Sequence, residues 1–209
     1  MTTGAQSKPK GKPSTAYKEA RGLEVLQVAA HLFATQGIAK TTVRDIADAA
    51  GMLSGSLYYH FESKEAMVDA LMSRFQDHIW SRYDAVMSSE GSPRQKVEGV
   101  VRASLEAIDQ YNAEVKIFQN EGALLANQER FAYMSDKSKR FRSMLTSQLR
   151  AGVEQGEFRA DLNVELAFRF IRDSVWPVVA WFRPGGDLRI EEVMDEYLTM
   201  VFDGIAVAP

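Results

Sequence analysis

Two groups of residues have side chains and spacing that could do chemistry. In the first, Ser54-Gly55-Ser56 offers only small and hydroxylic side chains, so the backbone there could approach base edges and phosphate oxygens closely, where larger side chains would hold it away. In the second, a helix over 164–182 places Arg169, Arg172, Trp176, Ala180 and Arg183 on one stripe, opposite Ala167, Phe170, Ile171, Ser174, Val178 and Phe182. Guanidiniums grip phosphate or carboxylate in bidentate fashion and an indole stacks on flat apolar groups, so this stripe suits an anionic, partly apolar ligand. The same residues would also serve as a solvated arginine row with Trp176 packed on a neighbouring helix. Pro177 removes the helical hydrogen bond to Asp173 and predicts a kink beside Trp176, which would open space there.

Catalytic chemistry finds little to work with. There are no cysteines, which excludes disulfides, thiol catalysis and thiolate metal sites. His31, His60 and His78 are the only histidines, and no nucleophile–base set, metal pattern, phosphate loop or serine elbow is present. The chain therefore reads as neither an enzyme nor a metalloprotein, and no cofactor is expected.

The elements that must position these groups read as helices throughout, an all-α chain. Val43, Ile46, Ala47 and Ala50 recur at helical spacing with Arg44, Asp45 and Asp48 outward, and Gly51 ends that helix in a tight turn before the short helix at Ser54. Thr42 and Ser63 are expected N-caps. A long helix from Lys64 to about Ser88 carries Met67, Leu71, Phe75 and Ile79 or Trp80 on one stripe, and Pro93 starts the next after a Ser/Gly break. Further helices are expected over 93–111, 113–126, 129–155, 164–182 and 190–206. The last is the cleanest amphipathic signal: Ile190, Val193, Met194, Tyr197, Leu198, Val201, Phe202 and Ile205 oppose Glu191, Glu192, Asp195 and Glu196.

The run from about 24 to 68 resembles the DNA-binding domain of the TetR family of bacterial repressors. Thr-Thr-Val-Arg-Asp-Ile-Ala, the turn glycine, Ser-Leu-Tyr-Tyr-His-Phe and Ser-Lys-Glu stand in the family's order and spacing. The resemblance implies a three-helix helix-turn-helix domain followed by a larger helical effector-binding and dimerisation domain. The division is drawn as an arm over 1–16, a DNA head over 17–64 and the helical domain over 65–209. Thr42, Arg44, Ser54, Gly55, Ser56, Tyr59, His60 and Lys64 become the candidates for DNA contact, with Leu57, Tyr58 and Phe61 in the core. A homodimer through the last two helices, bound to an inverted-repeat operator in double-stranded DNA, is likewise implied.

Phe170-Ile-Arg-Asp173 with Trp176, and Phe182-Arg-Pro-Gly-Gly186, narrow the similarity to actinobacterial TetR-type repressors of late, C/D-ring steps of cholesterol breakdown. That group implies an acyl-coenzyme A effector; periodicity in the middle helices adds Phe118 and Tyr133 to Trp176 as the expected surroundings of the steroid remnant, with the nucleotide end emerging near arginines such as Arg169, Arg172 and Arg183 or near the partner subunit. The other class in view is a TetR-type regulator of drug efflux that senses lipophilic cations through Asp109, Glu114, Glu121 or Asp173.

Charge supports the division of labour. The net charge is −3, yet residues 1–64 carry eight Lys or Arg against five Asp or Glu, while the remainder carries seventeen against twenty-three. The basic excess lies with the helix-turn-helix and is modest, so operator binding is expected to need two heads. The first fourteen residues are rich in Lys, Pro, Gly, Ser and Thr with no apolar stretch, which reads as a solvated arm whose Lys8, Lys10 and Lys12 could brush phosphate. A cytoplasmic protein with no membrane partner is the expectation.

Overall fold

The computed structural model describes residues 15–203, and among these every regular element is helical. Lys8, Lys10, Lys12 and the rest of the expected arm before Thr15 lie outside the described residues, as do Ile205 and the expected end of the last helix. Helix α1 (Thr15–Gln36), α2 (Val43–Ala49) and α3 (Ser54–Leu57) form the head, and α4 (Lys64–Ser88) leads out of it. The body adds α5 (Pro93–Gln110), α6 (Asn112–Leu125), α7 (Ala132–Glu154), α8 (Val164–Val175) and α9 (Ile190–Asp203). No described helix is long and apolar enough to cross a membrane.

Local signals set most boundaries. Thr42 caps α2 in a reciprocal box: its hydroxyl accepts from the Asp45 amide, and the Asp45 carboxylate accepts from the Thr42 amide. Those hydrogen bonds from Thr42 hold the Asp45 carboxyl below its ordinary range. Gly51 takes φ +64° in the turn, a conformation that strains side chains with a Cβ. Ser63 caps α4, and Ser92 with Gln95 makes a second box that starts α5 at Pro93.

Two expectations fail, one at the end of α3 and one at the end of α8. Helix α3 is a single turn ending at Leu57, whose side chain enters the core, while Tyr58, the next residue, is 57% exposed rather than core. Phe61 is half-buried against the head core. Helix α8 likewise ends at Val175 and tightens into a 3₁₀ turn over Trp176–Ala180, with Pro177 at its start. The continuous helix over 164–182, and with it the single Arg/Trp stripe, does not form. Trp176 still follows α8, its amide donating to the Arg172 carbonyl, and is buried, while Phe170 inside α8 points outward and is 70% exposed.

There are two apolar cores. The head core joins Val25, Ala29, Phe33, Ile46, Ala47 and Leu57 to Met67, Leu71 and Met72 of α4, and it does not close at Lys64, because Ile117, Leu125, Phe131 and Met134 of the body complete it. The body core gathers α4, α5, α7, α8 and α9 around Tyr83, Val97, Leu105, Leu145 and Phe202. Phe118 of α6 packs against both. One turn further on, Glu121 accepts a 2.8 Å hydrogen bond from the Ile38 amide in the turn between α1 and α2. Helix α6 thus touches the head directly.

Candidate DNA-binding head and effector cavity

On the head, α3 presents its small residues to solvent: Gly55 and Ser56 are exposed, Ser54 is half-buried, and a Cβ built on Gly55 would meet nothing within 4 Å. Tyr59 is 64% exposed, its ring covered by the Lys18 ammonium at 3.8 Å and met edge-on by His60 at 5.7 Å. Arg44 is exposed and only loosely paired with Asp48 at 3.7 Å. Thr42 is exposed, its hydroxyl engaged with Asp45. Lys64 behaves differently from a free phosphate contact. Its ammonium donates to the Ile38 carbonyl at 2.8 Å and the Thr41 carbonyl at 3.0 Å, so two of its three protons brace the turn that starts α2. Leu53, absent from the expected contacts, caps the front of α3 and is 80% exposed, a large apolar side chain beside the polar ones.

In the body a cavity of ≈ 610 Å³ opens between α4, α6, α7 and α8. Its interior is aromatic: Trp176 meets Phe75 at 6.1 Å and Phe118 at 6.2 Å edge-on, with Trp80, Phe141 and Phe168 nearby. Four cations, Lys137, Lys139, Arg142 and Arg172, line it against one acid, Asp173. Each is paired with a carboxylate, Lys137 with Asp77, Lys139 with Asp136, Arg142 with Glu165 and Arg172 with Asp173. The Arg172 guanidinium holds the Asp173 carboxyl below its usual range and lies 5.3 Å from the Phe168 ring. The Tyr83 hydroxyl is satisfied by Ser104 at 2.7 Å, and burial pushes its pKa up.

Of the ligand residues expected from sequence, the fold brings Arg172, Trp176 and Phe118 together on this cavity. It does not bring Arg169, Arg183 or Tyr133 there. The Arg183 guanidinium donates to the Ala180 and Phe182 carbonyls beyond the 3₁₀ turn, and Arg169 stays on the outer surface. Tyr133 leans on α4 instead, donating to Asp69 at 3.2 Å and accepting from Ser73 at 3.3 Å, with burial pushing its pKa up to about 12. The α7 cations were missed, although the run Lys137-Ser-Lys-Arg-Phe-Arg142 is a visible basic signal. Among the described residues no group of acids and histidines could hold a metal ion.

A helix-turn-helix head on a helical body with its own ligand-sized cavity defines a one-component regulator, and the chain belongs to the TetR family. Residues 25–71 match the model of bacterial regulatory proteins of the tetR family, and residues 90–205 the tetracyclin repressor-like C-terminal domain. It is a DNA-binding transcription regulator and not an enzyme. Among its relatives, the HTH-type transcriptional repressor KstR2 of Mycobacterium tuberculosis is 48% identical over 87% of this chain and 91% of that protein. KstR2 of Rhodococcus jostii is 47% identical over 92% and 94%. The structure of the ketosteroid transcriptional regulator KstR2 of Mycobacterium tuberculosis superposes with a TM-score of 0.88, covering 90% of this chain and 96% of that one. AibR, solved with isovaleryl coenzyme A and operator DNA, shares the fold at a TM-score of 0.76 and 24% identity, covering 87% of this chain and 98% of that one.

Proposed function

We propose that the chain is a ligand-released repressor of the KstR2 kind, binding an inverted-repeat operator as a dimer and leaving it when an acyl-coenzyme A thioester of a steroid-ring remnant fills the cavity. The observation that carries this reading is the cavity itself, an aromatic interior behind a rim of four cations and one acid. Fused rings suit the first and the phosphates of coenzyme A the second. The rim carboxylates now paired with those cations are what an entering anion replaces. The volume holds the acyl part, since cavities of roughly 300–1,000 Å³ enclose a drug-sized molecule and coenzyme A is longer. AibR supplies a precedent for an acyl-coenzyme A and operator DNA on this fold.

On the DNA side the reading assigns Ser54, Gly55, Ser56, Tyr59 and His60 to the groove with Leu53 beside them, and Thr42 and Arg44 to the backbone. Lys64 is assigned to bracing the turn before α2 rather than to a phosphate. Dimerisation is assigned to α8 and α9, where Leu166 and Phe170 face outward along a groove that includes Val201, and where Met200 is also exposed. Sensing of lipophilic cations is the second reading, favoured by Asp173 among the aromatic rings.

The deciding experiment titrates the complex with a fluorescent operator using alicyclic acyl-coenzyme A thioesters, free coenzyme A and cationic dyes in parallel. Release by the thioesters alone is the expected result. Release by the dyes and not the thioesters overturns it.

A further inference from the structure

One polar side chain of the cavity wall has no partner among the described residues. Gln76 of α4 is 5% exposed and lines the cavity. Its carboxamide makes no hydrogen bond with any described residue, although the neighbouring buried hydroxyls do: Tyr83 with Ser104, and Thr146 with the Arg142 carbonyl. Among the described residues no buried side-chain nitrogen or oxygen is sealed away without a partner. The Gln76 amide therefore faces open space, and the cavity is that space. A carboxamide carries two donors and one acceptor oxygen, and here they are open to whatever fills the cavity among Phe75, Ile79 and Trp80, so a ligand that displaces water must supply a partner or leave the amide unpaired.

We propose that Gln76 is a specificity-determining residue that hydrogen-bonds an oxygen carried on the apolar part of the effector, so that the favoured ligand is a keto- or hydroxy-substituted alicyclic acyl group rather than a plain hydrocarbon one. This rests on reading the cavity as the effector site. The cations grip the anionic groups and Gln76 the ring oxygen, so the two contacts together fix the ligand's pose. A ring without the oxygen would fill the same volume and leave the amide unpaired, which is the asymmetry by which a buried polar group rejects an isostere.

The test compares isosteres. Two coenzyme A thioesters of a cyclohexylpropanoyl group, one with a ring ketone and one with a ring methylidene (C=CH2) in its place, are titrated against the operator complex. 2-Decalone and 2-methylidenedecalin, without coenzyme A, are titrated in parallel against the tryptophan fluorescence of the free protein, since Trp80 and Trp176 line the cavity. The ketones are expected to act at concentrations about 10-fold or more below those of their methylidene partners, and Gln76→Leu to abolish that preference while methylidene binding persists. Thioesters that fail to release operator while decalone keeps its preference in the parent and loses it in Gln76→Leu would sink the coenzyme A reading and leave the Gln76 assignment standing. No preference in the parent protein in either assay overturns the assignment without recourse to any variant. A ketone preference that survives in Gln76→Leu overturns it too, because another group then reads the oxygen.

Discussion

Arg172 already has an anion, the carboxylate of Asp173, which takes both its Nε and its Nη2 protons, the latter at 2.8 Å. A phosphate of the effector must therefore displace that carboxylate to reach the guanidinium. Replacing it, Arg172→Met, removes a charge-assisted bond worth about 1.5–3 kcal/mol, so operator release should need about 10- to 150-fold more thioester. Operator affinity without effector should not change, and an anisotropy titration of parent and variant reads both quantities. Release at the parent's concentration would move the anion site elsewhere. Trp176 is a less clean probe, because it is buried against Phe75 and Phe118 and its truncation also opens a hole in the core. Lys64 calls for a different experiment. Its bonds to the Ile38 and Thr41 carbonyls predict that Lys64→Met lowers stability by about 1.5–3 kcal/mol. Thermal melting should show that loss with the salt slope of operator binding unchanged. A slope flattened by about one would put the ammonium on a phosphate instead.

Helix α6 carries Glu114 in its first turn, where burial raises the carboxyl above its ordinary pKa of 4.5 despite the nearby Arg74. The folded chain then holds this proton more tightly than the unfolded one, so the residue costs stability once the pH climbs past the unfolded value. Glu114→Gln should raise the melting temperature at pH 7 and lose that advantage near pH 4; an equal gain at both would assign it to packing. What could be foreseen at this scale follows the same division between local and distant causes. Caps at Thr42 and Ser63, the start at Pro93 and the stop at Gly51 depend on residues within a turn of one another, so they are legible locally. Tyr58 was misplaced at the end of a one-turn helix, and Arg183 was set on the Trp176 stripe because period counting carries one constant rotation through what is a 3₁₀ turn. Arg172, Trp176 and Phe118 were recovered, but the α7 cations belong to the site only through the packing of α7 on α8. Gln76 left a faint trace: it interrupts an otherwise apolar row of Met72, Ile79 and Tyr83 on the buried side of α4.

The whole molecule must bring two modestly basic heads to one duplex. Phe170 lies 70% exposed on the face assigned to pairing, and changing it leaves the buried Ile171 and Val175 in place. Phe170→Glu is expected to shift the chain to a monomer by sedimentation and to cut operator affinity about 100-fold or more, since the second head then arrives only from solution. A variant that stays dimeric would place the partner surface elsewhere. Helix α6 reaches from the cavity to the head within a single turn, and that has a consequence in time as well as in space. The Ile38 amide hydrogen is covered by the Glu121 carboxylate and trades places with deuterium when that grip opens. Because Phe118, three residues away, is part of the cavity wall, the rate at which this one hydrogen is replaced becomes a clock for events inside the body, readable with no DNA in the tube.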